Sequence, residues 1–195
     1  KIHIVAHDTG TGSSGDLRYT TNVSGSWVSS DVRAYSTTDT GRLVQIAIDS
    51  NDKIHLSYVQ DSGTAHVYHD TNAGGSWSQT QVNWGADHPA IAIDSNDDVY
   101  IVVGDSGGIS GYRRAASSSG SFSYSTGVSC SGGCDEYTSV VADNNDDFHI
   151  SFARHLNNRL GVSYEQGTGK GVKNDPGSWR PVISSISSCE VSPAL

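Results

Sequence analysis

Short apolar runs alternate with polar turns along this chain, and one phrase returns. Ile46-Ala47-Ile48-Asp49-Ser50-Asn51-Asp52-Lys53-Ile54-His55-Leu56 is followed by Ile91-Ala92-Ile93-Asp94-Ser95-Asn96-Asp97-Asp98-Val99-Tyr100-Ile101, and then by Val140-Val141-Ala142-Asp143-Asn144-Asn145-Asp146-Asp147-Phe148-His149-Ile150. An internal repeat of this kind decides the architecture before any single residue is interpreted. It also supplies a background to subtract, so that function can be sought in what does not repeat.

Each repeat reads as four short strands. The first is the apolar 46–48 run, and the second, 54–58, follows across an Asp-Ser-Asn-Asp turn whose residues tolerate left-handed backbone. The third ends in a recurring tyrosine, seen at Tyr19, Tyr68, Tyr112 and Tyr164, which reads as one repeat position. The fourth opens with Gly25-Ser26-Trp27, Gly75-Ser76-Trp77, Gly120-Ser121-Phe122 and Gly177-Ser178-Trp179, and closes on an apolar residue such as Val32, Val82 or Val128. A spacing of roughly 45 to 57 residues is the length of a four-stranded propeller blade.

At the ends, Lys1-Ile2-His3-Ile4 matches Lys53-Ile54-His55-Leu56, and Ser192-Pro193-Ala194-Leu195 matches His88-Pro89-Ala90-Ile91. The expected fold is therefore all-β: a four-bladed β-propeller of four-stranded antiparallel blades, closed by pairing of the C-terminal strand 193–195 with the N-terminal blade beside 2–5. Closure removes exposed sheet edges. The repeats 1–43 plus 192–195, 44–88, 89–138 and 139–191 form one domain in this reading. Counterparts of Ala92 to Asp97 are missing at the junction, through a natural gap or because the array is longer. An open blade would offer an edge for oligomer formation.

Composition narrows the picture. The 195 residues include 22 glycines, as expected of many short strands joined by tight turns. A net charge of −9 argues against nucleic acid, which needs a concentrated basic surface. Arg113-Arg114, the densest basic spot, reads as a solvated strand edge. No run is long and apolar enough for a signal peptide or membrane insertion. Cys130-Ser131-Gly132-Gly133-Cys134 is a loop in which Cys130 and Cys134 could close a short disulfide, with Cys189 unpaired. That makes it a staple in an extracellular or secreted protein, the alternative being free thiols in a reducing cell. Asn22-Val23-Ser24 has the pattern of a glycosylation acceptor.

Asn72-Ala73-Gly74-Gly75-Ser76-Trp77 resembles the Asp-box, the bacterial-neuraminidase-repeat (BNR) motif of sialidase-like propellers. The resemblance touches all four repeats in degenerate form, with Asn22, Asn72 and Asn174 in place of Asp and Phe122 in place of one Trp. It implies a short polar side chain folded onto turn amides and tryptophans wedged between blades, so Trp27, Trp77 and Trp179 are expected to be structural. In that family the motif lies opposite the active site and supports the fold. A sialidase-like enzyme would also need an arginine cluster, a tyrosine nucleophile with a glutamate partner, and an acid. Arg42, Arg154, Tyr137, Glu136 and Asp87 could be assembled on paper, but the motif matches none of them residue by residue.

His3, His55 and His149 share one repeat column with Tyr100, so the rotation between blades spreads them apart, and no metal set is expected. The Asp-rich turns could suggest Ca2+, but they lack the alternating carboxylates and distant glutamate of a calcium loop. No cofactor is expected. What departs from the repeat lies in loops at one mouth of the propeller. Trp84, His88, Tyr137, Arg154 and His155 combine ring faces with hydrogen-bonding groups, the chemistry that binds sugars. The expected function is a lectin-like, carbohydrate-binding module with glycan as leading ligand. The alternatives are a protein-interaction scaffold and a glycan-processing enzyme.

Overall fold

The computed structural model describes residues 1–9, 15–34, 38–105, 108–115, 120–129, 134–156, 159–168 and 180–181, with backbone alone at 105, 126–129, 134–136, 153–156, 159–168 and 180–181. None of the described residues is helical. Strands β1 (His3–Asp8), β2 (Asp16–Thr21) and β3 (Val28–Arg33) form a three-stranded sheet. A second sheet comprises β4 (Asp39–Ile48), β5 (Ile54–Asp61), β6 (Ala65–Thr71) and β7 (Ser78–Trp84), and a third comprises β8 (Asp87–Ile93), β9 (Val99–Asp105), β10 (Gly108–Arg114) and β11 (Ser123–Ser129). β12 (Cys134–Ala142), β13 (Asp147–Leu156), β14 (Arg159–Thr168) and β15 (Arg180–Pro181) form the fourth. Each sheet is an antiparallel meander in chain order, and its first strand carries it onto the sheet before: β4 lies against β1 and β2, β8 against β4, β5 and β6, and β12 against β8 and β9.

This is a propeller-like array in which the cores lie between sheets. Leu17, Val32, Ile54, Leu56 and Tyr58 fill the first interface. Val59, Val67, Ile91, Val99, Ile101 and Val103 fill the second, and Ala92, Tyr100, Val102, Phe148, Ile150 and Phe152 the third. Strand alternation explains how β5 serves two of them. Ile54, Leu56 and Tyr58 face one neighbour while Val59, beyond the change of face, meets the next.

The Asp-rich turns are hairpins, as the sequence predicts. Asp52, Asp97 and Asp146 occupy left-handed backbone at φ 61°, 63° and 63°. Asp49 Oδ1 accepts the amides of Asn51 and Lys53, and Asp94 and Asp143 repeat the arrangement. Each hairpin also grips the next. Asp97 accepts Ser50 N, Ser50 Oγ and Asn51 Nδ2, while Asp146 accepts Ser95 N and Asn96 Nδ2. Asp52, the member of this column in the second sheet, takes the Lys1 ammonium. These carboxylates are held by protein donors, and among the described residues no group of three or more His, Cys, Asp or Glu side chains is placed to hold a metal ion.

Several sequence expectations need correction. Pairing sets His3 opposite Thr21 and His55 opposite Thr71, which makes Tyr19 equivalent to His69 and leaves Tyr68 one residue away. Tyr112 falls one residue to the other side, because Tyr100 pairs with Arg113. A one-residue shift reverses the face, so the tyrosines do not form one column. The tryptophans also divide. Trp77 meets Tyr19 of the preceding sheet edge-on at 5.6 Å, and Phe122 meets the equivalent His69 at 5.1 Å, whereas Trp27 is 55% exposed. Asn22 and Asn72 do not fold onto their own turn amides. Their Oδ1 atoms accept Ile2 N and Ile54 N, both at 2.8 Å, at the start of the adjacent strand. Trp179, Cys130, Cys189 and the closing strand 193–195 lie outside the described residues, and Cys134 is described by backbone alone.

Candidate functional site at the bulged strand ends

The first strand of the second, third and fourth sheets breaks register near its start. The breaks fall at Thr40/Arg42 and Arg42/Gln45 in β4, Asp87/Ala90 in β8 and Cys134/Thr138 in β12. Bulges bend a strand and redirect its side chains, which is why they gather beside functional sites. Leu43 and His88, in two of these bulges, hold left-handed backbone at φ 52° and 47° although neither is glycine. Such conformations cost ~1–3 kcal/mol each and persist only where their surroundings enforce them.

Two aromatic pairs stand at these ends. Trp84 is 73% exposed and meets His66, its cross-strand partner, edge-on at 4.5 Å. Tyr137 is 68% exposed and meets His88 edge-on at 4.8 Å, while Thr138 Oγ1 donates to the His88 carbonyl at 2.6 Å. His88 N donates to Asp87 Oδ1 at 2.9 Å. The structure thus brings His88 and Tyr137 together and places Trp84 four residues before His88, with His66 as a partner that sequence reasoning missed. His66 breaks no repeat pattern, and only the β6–β7 register reveals it. Arg154 pairs with Cys134 through the backbone at the edge of the β12 bulge, with His155 next to it; their side chains lie outside the described residues.

A polar cluster occupies the same end between the first two sheets. His7 Nε2 lies 2.6 Å from Asp39 Oδ1, and Arg42 reaches Asp61 Oδ2 at 2.9 Å and Asp39 Oδ2 at 3.9 Å. Gly15 passes so close that a Cβ there would strike His7 and Asp39. Arg42, one of the arginines an acid-recognition site would use, is therefore engaged by two carboxylates.

The opposite end, where the hairpins lie, contains a second group. His55 Nδ1 and His69 Nε2 are 3.1 Å apart and nearly solvent-free, with Asp49 Oδ2 3.5 Å from His55 Nε2. Burial holds His69 well below the usual histidine range, with the Arg114 charge acting in the same direction; burial also lowers His55, against the pull of Asp49. The Arg113-Arg114 pair is not a solvated edge. Arg113 binds Asp98 and approaches Asp94 at 3.8 Å, whereas Arg114 lies half-buried with its guanidinium 5.0 Å from the Phe122 ring centre.

The histidine pair makes stability pH-dependent with a defined sign. Both groups bind protons less readily folded than unfolded, so their contribution is complete above about pH 6.5 and is lost progressively below it, until pH has fallen through their lower folded-state values. Asp70, whose carboxyl burial pushes up, works in the opposite sense nearer the carboxylate range. Melting temperature should therefore fall between about pH 7 and 5, and His69→Gln should flatten that part of the profile. Superimposable profiles for parent and variant would exclude the pair as the cause.

No protein-family model matches the sequence, and no curated protein matches it. Among solved structures the fold is similar to an intramolecular trans-sialidase from Ruminococcus gnavus, at 12% identity and a TM-score of 0.53 over 84% of this chain and 40% of that one. It is also similar to TolB from Acinetobacter baumannii, at 8% identity and a TM-score of 0.51 over 87% of this chain and 39% of that one. The chain thus spans about two fifths of the length of each. The likeness is one of fold: an all-β, propeller-like arrangement of antiparallel sheets, sialidase-like at that level.

Proposed function

We propose that this chain is an exported, non-catalytic glycan-binding protein, a lectin-like propeller whose ligand lies across the bulged strand ends. The observation that carries the reading is the pair of edge-to-face aromatic contacts, His66 with Trp84 and His88 with Tyr137, each leaving one large ring in solvent. A ring held upright by a neighbour offers a face to sugar C–H groups without first losing rotamer freedom. Asp87 and the polar cluster around Asp39 provide hydrogen-bonding groups at the same end. Arg154 and His155 would add donors from the fourth sheet.

The Asp-box resemblance, a Cys130–Cys134 staple and four-bladed closure belong to the same proposal. Closure has support in the register. Ser151 pairs with Tyr164 as Ser57 pairs with His69, so Tyr164 holds the register position that receives Trp77 and Phe122 elsewhere, and Trp27, exposed among the described residues, is the ring it would receive on closure.

The test is a glycan array with the parent and with Trp84→Ala and Tyr137→Ala. Loss of about 1–2 kcal/mol in binding free energy for each, with unchanged melting temperature, is expected. Retention of a glycan by both variants would move the site elsewhere. A parent that binds no glycan would favour the protein-interaction scaffold, for which exposed Ile2, Ile4, Trp27 and Val28 on the first sheet provide an apolar surface.

A further inference from the structure

A groove of about 770 Å³ opens between the second and third sheets at the hairpin end, away from the aromatic pairs. Its walls carry His55, Thr71 and Gln79 from one sheet and Asp97 and Arg114 from the other. We propose that this groove binds a sugar-sized molecule bearing a single carboxylate, with Arg114 as the group that receives the anion.

The charge balance around Arg114 supports this. Arg33, Arg42 and Arg113 each pair with a carboxylate. Arg114 alone among these has only the Phe122 ring as a described partner, and burial, opposed by no nearby carboxylate, lowers its pKa. A half-buried guanidinium without a counter-ion is unfavourable, and its planar fork matches a carboxylate. Neither acidic residue of the groove is paired with it. Asp49 Oδ1 is taken by Asn51 N and Lys53 N, and Asp97 by Ser50 and Asn51.

His55 belongs to the same wall. It is 4% exposed, with its Nε2 buried and directed at Asp49 Oδ2 3.5 Å away, so it shapes the groove and leaves Arg114 as the group that meets the ligand. Asp49 and Asp97 set against Lys53 and Arg114 leave the groove without net charge, which disfavours a multiply charged anion such as phosphate, and the volume exceeds that of a simple inorganic ion, so the ligand class is a monocarboxylate with hydroxyl groups, of the kind a sugar acid presents. The inference is independent of glycan binding at the other end.

The test uses the intact chain and glucuronate, with glucose, sulfate and phosphate as comparators, followed by NMR at backbone amides and at Arg114 Nε–H. Glucuronate should shift Arg114 and the amides of Ser78 and Thr80 saturably below about 50 mM, and the comparators should not. Arg114→Gln should weaken binding about tenfold or more, and Arg114→Lys less. Absence of shifts in the parent overturns the proposal whether or not the variants fold, as does unchanged affinity in a folded Arg114→Gln. Equal binding of sulfate and phosphate overturns the sugar-acid assignment. A response confined to Trp84 and Tyr137 overturns the groove while leaving the aromatic site standing.

Discussion

Asp70→Ala is expected to destabilise the protein by about 3 to 5 kcal/mol, because it removes one half of a buried ion pair and strands the other. Asp70 is solvent-free on β6, and it receives Arg33 of the first sheet through Nη2 at 2.5 Å and Nε at 3.1 Å. Tyr58 donates to the same carboxylate at 2.6 Å and accepts in turn from Gln79 Nε2 at 2.6 Å. The substitution leaves the guanidinium and the phenol without their common acceptor. Replacing both charges with apolar groups of similar volume, Arg33→Met with Asp70→Leu, should recover most of the loss, since desolvation of the pair offsets much of its attraction. Urea denaturation measures both. A single variant within about 1 kcal/mol of the parent would show that this pair does not clamp the first two sheets.

Phe148→Ala should cost a similar amount, about 3 to 5 kcal/mol, for a different reason. Phe148 is 1% exposed at the start of β13 and stacks on Tyr100 of the third sheet, with centroids 4.2 Å apart and planes 16° from parallel. Truncation opens a cavity between two sheets, in a core that Phe148 shares with Val102, Ile150 and Phe152. Phe148→Leu should cost less, because it refills part of the volume. Hydrogen exchange offers a second reading: protection in β12 and β13 should fall more than in β5 and β6. A uniform loss of protection would mean that the sheets unfold only together.

Much of this architecture was legible in the residues. The strands and hairpins followed from alternation and from Asp-Ser-Asn-Asp turns, whose last residue does take left-handed backbone. The tyrosines misled because a loop of unknown length separates the strands, and one residue of slip changes the face. The bulges were invisible for another reason. Leu43 and His88 adopt φ values that sequence reasoning reserves for glycine or asparagine, so nothing in the letters marks them. Trp84, His88 and Tyr137 were found because they depart from the repeat. His66 and Arg114 were not, since each becomes informative only through a partner distant in the chain.

The grip between successive hairpins has a direction. Ser50 and Asn51 give hydrogen bonds that Asp97 takes, Ser95 and Asn96 give those that Asp146 takes, and no hairpin described here does the reverse toward the same neighbour. The hairpin of the third sheet therefore has a giving side and a taking side, like a link in a chain with distinct ends. A repeat duplicated whole and inserted between two others would find both sides met, whereas one inserted backwards or cut at mid-strand would not. Through this contact, gene duplication could change the number of sheets without designing a new interface, so the natural unit of variation in this protein is the repeat itself.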